Sequence, residues 1–386
     1  MLPQTSSTPA PAAVGRMVFI DNLRWTLMIL VVSMHAADTY SPLGSWYYTN
    51  RTPLTPAVTL VFAAWQMYLQ AFFMGLLFFI AGYFVPASLQ RKGAKQFLRD
   101  RAFRLGLPVL FYMFVLGPIV EYFLAHSWNS TRPTTFPLEW IKHIRNGEFL
   151  QENGPLWFCL ALLIFSFVYA ITPRSQAKAR SEPPRTAALI LFAAAIALGT
   201  FLVRLVLPSG FSLLNMHLGD FPQYVLLFAA GTIAGRDGWL SKISYSSGLQ
   251  WLAIVLPIGF AGWLTLLIAG GALNGNRRAF SGGWHWQSAA MNVWESFTCV
   301  ALCFGLLAVF RRHANSQGRI AKFLSDNAFA VYVFHPVFVI GAARSMHGLE
   351  WHPLVKFVML TAIAVVLSFA ASALLFRRIP LLQRIL

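Results

Sequence analysis

Uncharged stretches some twenty residues long, such as FVMLTAIAVVLSFAASALLF (357–376), recur along this chain with mostly short polar connections between them. A bilayer core about 30 Å thick is crossed by about 20 helical residues. Inside lipid the backbone can satisfy its polar groups only as helices or as a closed barrel, and runs of this length select the helix. Ten candidate spans follow: 19–39, 68–88, 104–124, 156–172, 187–207, 221–235, 249–270, 288–310, 326–345 and 353–376, the second able to begin earlier, near Ala57. Composition agrees, with 11% charged residues against about 25% in soluble chains. The fold class expected is all-α: a polytopic membrane helix bundle of about ten transmembrane helices. These form one domain, 16–386, behind a Pro/Ala/Thr-rich tail, 1–15, that reads as disordered.

Basic residues set the orientation. The connection QRKGAKQFLRDRAF after span 2 carries five Lys/Arg, RRHANSQGRIAK after span 8 carries four, and Arg377, Arg378 and Arg384 follow the last span. The odd-numbered connections are poorer: PSGFSLLNMHLGD has none. Ten spans place both termini in the cytoplasm. This distribution accounts for the net charge of +17 and argues against nucleic acid as a partner, which would require the cations on one soluble face. The three cysteines, Cys159, Cys299 and Cys303, lie in apolar runs at spacings that make no metal site, and no metal or tightly bound cofactor is expected.

An ionised side chain inside a span costs about 2.5–3.5 kcal/mol by insertion scales, so each one within these runs calls for a reason. Arg24 and His35 share the first span, eleven residues apart. At 100° and 1.5 Å per residue they fall on one stripe, about 20° out of line and about 16 Å apart. Taken singly, Arg24 fits an interfacial anchor and His35 a histidine bonded between helices. Taken together they read as a functional stripe. Asp38, one turn beyond His35, or Glu295 on span 8 could orient the imidazole as a general base. His335 sits mid-span in YVFHPVF, where Pro336 removes an N–H and frees the carbonyl of Tyr332 one turn back. The catalytic candidates are His35, Asp38, Glu295 and His335. Glu121, Trp157 and Tyr332 stand as substrate-binding candidates. The outer aromatic segments GSWYYTN and WHW read either as an interfacial belt or as a stacking surface. On the basic inner face, Arg101 and Arg104, with Arg24, suit a phosphate-bearing donor, since guanidinium binds phosphate bidentately. Arg204 is the one outer cation placed to meet a dicarboxylic acyl group.

Five blocks occur in an order that carries a resemblance: Arg24-x10-His35 within IDNLRWTLMILVVSMHAADTYSPLGSWYY, then FFMGLLFFIAGYFVPASLQRKG, FLRDRAFRLGLPVLFY, GPLWFCLALLIF and LSDNAFAVYVFHPVFVI. In these the chain resembles acyltransferase family 3 membrane proteins, and within them the glucans biosynthesis protein C-like branch. The resemblance implies a bacterial inner-membrane O-acyltransferase. It would move an acetyl, succinyl or similar group from cytoplasmic acyl-CoA to a hydroxyl of a glycan, lipid or small molecule. It further implies Arg24 near the donor, His35 in catalysis, and Arg101 and Arg104 as the basic pair opening the third span. Ala81 in IAGYF departs from the more usual serine. The competing class is a multi-pass transporter or flippase that makes no bond. The absence of a visible internal repeat counts against that class.

Overall fold

The computed structural model describes residues 16–44, 46–125, 135–173 and 182–385. The tail expected over 1–15 lies outside the described residues. Eleven helices organise the rest: α1 (Val18–Tyr40), α2 (Pro56–Arg101), α3 (Phe136–Arg145), α4 (Trp157–Ile171), α5 (Thr186–Arg204), α6 (Phe221–Asp237), α7 (Tyr245–Val255), α8 (Pro257–Ala269), α9 (Trp286–His313), α10 (Arg319–Ser345) and α11 (Pro353–Leu374). Among the described residues the sheet is a single two-stranded hairpin, Ser212–Leu213 against Met216–His217, turned by Leu214 and Asn215 at φ 52° and 56°. The all-α membrane bundle is thus the architecture found, with eight helical stretches among the described residues long and apolar enough to cross a bilayer.

Eight stretches, where the sequence marks ten spans, reflect two particulars. The expected spans 68–88 and 104–124 lie in one continuous run, Pro56–Ala125, of 70 residues. At 1.5 Å per residue that run measures about 105 Å, more than three bilayer cores. It cannot be one straight crossing, and Gly93, at φ 71° and ψ 162°, breaks it within the basic connection. Beyond Gly93 the run passes through π-helical turns at Ala102–Gly106, Tyr112–Leu116 and Val120–Ala125. The other particular is α6, whose 17 residues make it shorter than the eight. Its Gly238, at φ 69°, closes the helix in the left-handed conformation usual after a C-terminus. α2 starts at Pro56, where the Thr55 side chain caps the Val58 N–H, so the second span does begin well before residue 68.

The closest crossing in the bundle is α2 against α6. A Cβ on Gly82 would overlap the Phe228 carbonyl oxygen, and a Cβ on Gly231 or Gly235 would overlap the carbonyls of Phe79 or Tyr83. The sequence GTIAG (231–235) therefore serves as a small-residue seam that brings two backbones together where dispersion replaces the hydrophobic effect. Around this seam Phe72, Leu76, Phe78 and Ile80 of α2 pack with Tyr224, Leu227 and Phe228 of α6 and with the inner faces of α1, α4, α9 and α10. A second apolar cluster joins Val32, Ala36 and Tyr40 of α1 to Phe62, Val339, Ala343 and Leu360. Other large apolar side chains, among them Leu191, Leu202, Ile258 and Val366, stay exposed. In a bilayer that exposure is solvation.

The seam makes a stability prediction. Gly231→Ala puts a methyl group into a backbone carbonyl and should destabilise the protein by about 1–3 kcal/mol. Gly341→Ala, where a Cβ meets nothing within 4 Å, should be neutral or mildly stabilising. Thermal midpoints of the purified proteins in one detergent check the pair.

Candidate functional site

The first turn of interest is at the C-terminal end of α1. His35 and Asp38 are three residues apart on one helical face, and His35 Nδ1 lies 3.3 Å from Asp38 Oδ2. The second oxygen of Asp38 accepts a 2.7 Å hydrogen bond from Gln66 Nε2 of α2. Gln66 Oε1 in turn accepts from Ser41 Oγ at 2.7 Å. Asp38, Ser41 and Gln66 are buried, whereas the His35 side chain keeps 21% of its exposure. With Nδ1–H directed at a carboxylate, Nε2 is the nitrogen left with a lone pair to take a proton.

The loop after α1 closes over this pair. Trp46 stacks on the His35 imidazole with centroids 3.9 Å apart and planes 14° from parallel. His335 lies on the same stack, 5.3 Å from His35 and 5.9 Å from Trp46. The carbonyl of Tyr332, which Pro336 cannot engage, accepts from His335 Nδ1 at 2.8 Å, and the Val331 carbonyl lies 3.2 Å from the same nitrogen. His335 Nε2 is buried and without a hydrogen-bond partner among the described residues. The Tyr332 hydroxyl donates to the Pro155 carbonyl, tying α10 to the segment that leads into α4.

Beyond Trp46 the site opens into a phenolic and acidic rim. Tyr47 packs against Trp46 at 5.5 Å and accepts a 3.2 Å hydrogen bond from the Tyr112 hydroxyl. Burial, with a smaller contribution from the charges of Glu152 and Glu121, holds the Tyr47 phenol well above its ordinary pKa. Glu152 is also raised, first by burial and then by Glu121, with His143 opposing the shift. His143, on α3, donates from Nε2 to the Met113 carbonyl at 3.0 Å and places Nδ1 3.8 Å from Glu152.

At the other end of α1, Arg24 has one carboxylate near it, Asp21 at 3.5 Å, and its guanidinium lies 4.9 Å from the Phe84 ring. The side chain is 40% exposed. Arg101, over the Phe97 ring at 5.3 Å, feels the charges of both Arg24 and Arg104. Arg101 is therefore within electrostatic reach of the two other arginines that the sequence groups with it by chemistry. One unbroken helix carries Arg24 and, about 16 Å further along its axis, His35.

Other expectations meet different surroundings. Glu295 does not orient His35. It accepts from Arg204 at 2.7 Å, in a cluster where the same guanidinium also donates to Asp220 at 2.5 Å and Asn292 at 2.6 Å. An arginine spans both carboxylates with its paired N–H groups, which explains why Glu295 turns away from α1. Arg204 is for the same reason not an available cation for a dicarboxylic acyl group, because two carboxylates already over-neutralise it. Glu121 joins the acidic rim beside Glu152 and Tyr47. Trp157 packs between Phe78 and Tyr224 at 6.4 and 5.7 Å, with the His217 ring at 6.4 Å, on the side of the core toward α6. Tyr332 sits one turn from His335 and within 6.4 Å of its ring. Among the described residues no group of three or more His, Cys, Asp or Glu is arranged to hold a metal ion, and Cys299 and Cys303 are buried thiols 3.9 Å apart. Sequence reasoning passed over Gln66, Tyr112 and Glu152. Gln66, an amide in an apolar run, is the one with a visible signal.

A family model described as "Acyltransferase domain" matches residues 17–376. The chain is 24% identical over 355 residues to glucans biosynthesis protein C of Salmonella heidelberg, covering 86% of this chain and 84% of that protein. The proteins of the same name from Salmonella agona and Salmonella dublin match at the same identity and coverage. No solved structure matches it.

The rim predicts a pH dependence. Because the folded protein holds Glu152 above its unfolded pKa, it binds that proton more tightly than the unfolded chain. The associated stability is complete below the ordinary glutamate pKa, about 4.3, and is lost as pH rises through the raised value. Glu152→Gln should therefore raise the thermal midpoint in detergent at pH 7.5 and leave it nearly unchanged at pH 4.

Proposed function

We propose that this chain, which belongs to the acyltransferase domain family, transfers an acyl group from cytoplasmic acyl-CoA to a hydroxyl of an acceptor presented at the outer face of a bacterial inner membrane. The relatives' name, glucans biosynthesis protein C, favours a glycan as that acceptor. The reading includes ten crossings with both termini in the cytoplasm, the two halves of the long Pro56–Ala125 run counting as separate crossings and α6 as a short one. A family of acyl transfer favours bond-making over transport.

The observation that carries the mechanism is the His35–Asp38 pair, held at one end of a helix whose other end presents Arg24. Arg24, Arg101 and Arg104 receive the phosphates of the donor through paired N–H groups. The pantetheine arm then runs along α1 toward the outer end. His35 Nε2 removes the proton of the acceptor hydroxyl as its oxygen attacks the thioester carbonyl, and Asp38 stabilises the imidazolium through Nδ1–H. Collapse of the tetrahedral intermediate breaks the C–S bond. Coenzyme A leaves as a thiolate, the new ester stays with the acceptor, and the proton on His35 passes to the thiolate or to water. Trp46, stacked on the imidazole face, limits the ring's rotation so that Nε2 keeps its direction. His335, with its Nε2 unpartnered beside this ring, offers a second acceptor for a substrate N–H or O–H.

General-base assistance contributes about 10²–10⁴-fold, so His35→Gln should lower acceptor-dependent thiol release by about that factor. Arg24→Lys keeps the charge but loses the paired donors, and should raise the KM for acyl-CoA more than it lowers kcat. Both are measured by acyl-CoA turnover in detergent at matched protein levels. A near-normal rate in His35→Gln would end the base role.

A further inference from the structure

We infer that Gln66 is a positioning residue for this reaction, an amide that holds Asp38 in the orientation His35 needs. The inference rests on the base reading of His35 and adds to it a residue outside the active helix. Gln66 is 1% exposed in an apolar helix, where an amide needs partners for every hydrogen-bonding atom. Its Nε2 donates to Asp38 Oδ1 at 2.7 Å and reaches the Leu43 carbonyl at 3.3 Å, and its Oε1 accepts from Ser41 Oγ at 2.7 Å. The hydroxyl of Ser41 also accepts from the Leu43 N–H at 3.0 Å. These contacts fix which way round the amide sits: the carbonyl oxygen faces a hydroxyl, and the NH₂ faces a carboxylate and a backbone carbonyl, and those two acceptors would not tolerate the flip.

The carboxylate of Asp38 consequently has its two oxygens assigned to different elements. Oδ1 is held by α2 and Oδ2 faces His35 Nδ1. Without the first contact the carboxylate can turn about its Cβ–Cγ bond and abandon the second, and the imidazole loses the partner that fixes its tautomer. Backbone packing closes the remaining side. Gly44, at φ 76°, lies so close that a Cβ there would stand 2.5 Å from Asp38 Oδ1 and 3.5 Å from Gln66 Nε2. The loop that carries Trp46 thus lies directly on the Asp38–Gln66 hydrogen bond, and Gln66 ties that loop to the base through Ser41 and Leu43.

A double-mutant cycle tests the assignment. Gln66→Met keeps the length and apolar volume of the side chain and removes its hydrogen bonds. Losing a group that orients another typically lowers activity by about 10–100-fold, and that fall in kcat is expected here with the KM for acyl-CoA within about two-fold of wild type. In an Asp38→Ala background the same substitution should change kcat by less than about two-fold, because a residue acting through Asp38 has nothing left to act on. Gly44→Ala, which presses on Asp38 from the other side, should behave alike and serves where Gln66→Met fails to accumulate in membranes. A Gln66→Met enzyme at wild-type rate beside an inactive His35→Gln overturns the Gln66 assignment alone. Losses that multiply in the double variant overturn it too, since they mark a role in folding. A His35→Gln enzyme at normal rate overturns the base reading itself.

Discussion

A carboxylate withdrawn from water has to find donors for both oxygens, and Asp38 is where this protein meets that demand. The cost of leaving such a charge unpaired in a bundle is several kcal/mol, larger than most single packing interactions. Asp38 therefore dictates its neighbours: an imidazole on one side, an amide on the other, and a residue without a side chain above. From this the rest of the C-terminal end of α1 follows. The loop must pass over Asp38 at Gly44, which delivers Trp46 onto the His35 ring, which brings Tyr47 to Tyr112 and the acidic rim.

The bundle holds a second buried polar cluster, and the contrast is instructive. Around Arg204, the guanidinium meets Asp220, Glu295 and Asn292 at 2.5 to 2.7 Å. Those are short, charge-assisted contacts that join α5, the segment before α6, and α9, and they leave the carboxylates committed. Around Asp38 the contact from Gln66 is as short, at 2.7 Å, but that to the imidazole is 3.3 Å, and one ring nitrogen is left with its lone pair. The first cluster ties three elements of the bundle together, although the buried Arg204 Nε is without a hydrogen-bond partner among the described residues. The proposed base role draws on the His35 ring nitrogen that does not face Asp38.

Much of this was legible in the sequence because helices convert spacing directly into geometry. Eleven residues place Arg24 and His35 on one stripe, three place Asp38 under His35, and Pro336 frees the Tyr332 carbonyl that His335 Nδ1 then engages. What depended on contacts between distant segments was not legible. Glu295 lies at a plausible depth, but only the fold brings it to Arg204, 91 residues earlier, and away from α1. Gln66 meets Asp38 across 28 residues of loop and helix. Trp46 belongs to an aromatic segment whose two readings, belt or stacking surface, give way to a third, since its ring lies against the protein's own histidine. The crossing of α2 and α6 was likewise hidden, because GTIAG only becomes a seam opposite Gly82.

The unbroken course of α1 from Val18 to Tyr40 has an evolutionary corollary. An inserted or deleted residue between positions 24 and 35 would turn His35 and Asp38 together by about 100° relative to Arg24 and take both off its stripe. Replacement between the two residues keeps that alignment and a change of length does not, so the stretch constrains its own length more tightly than its residue identities.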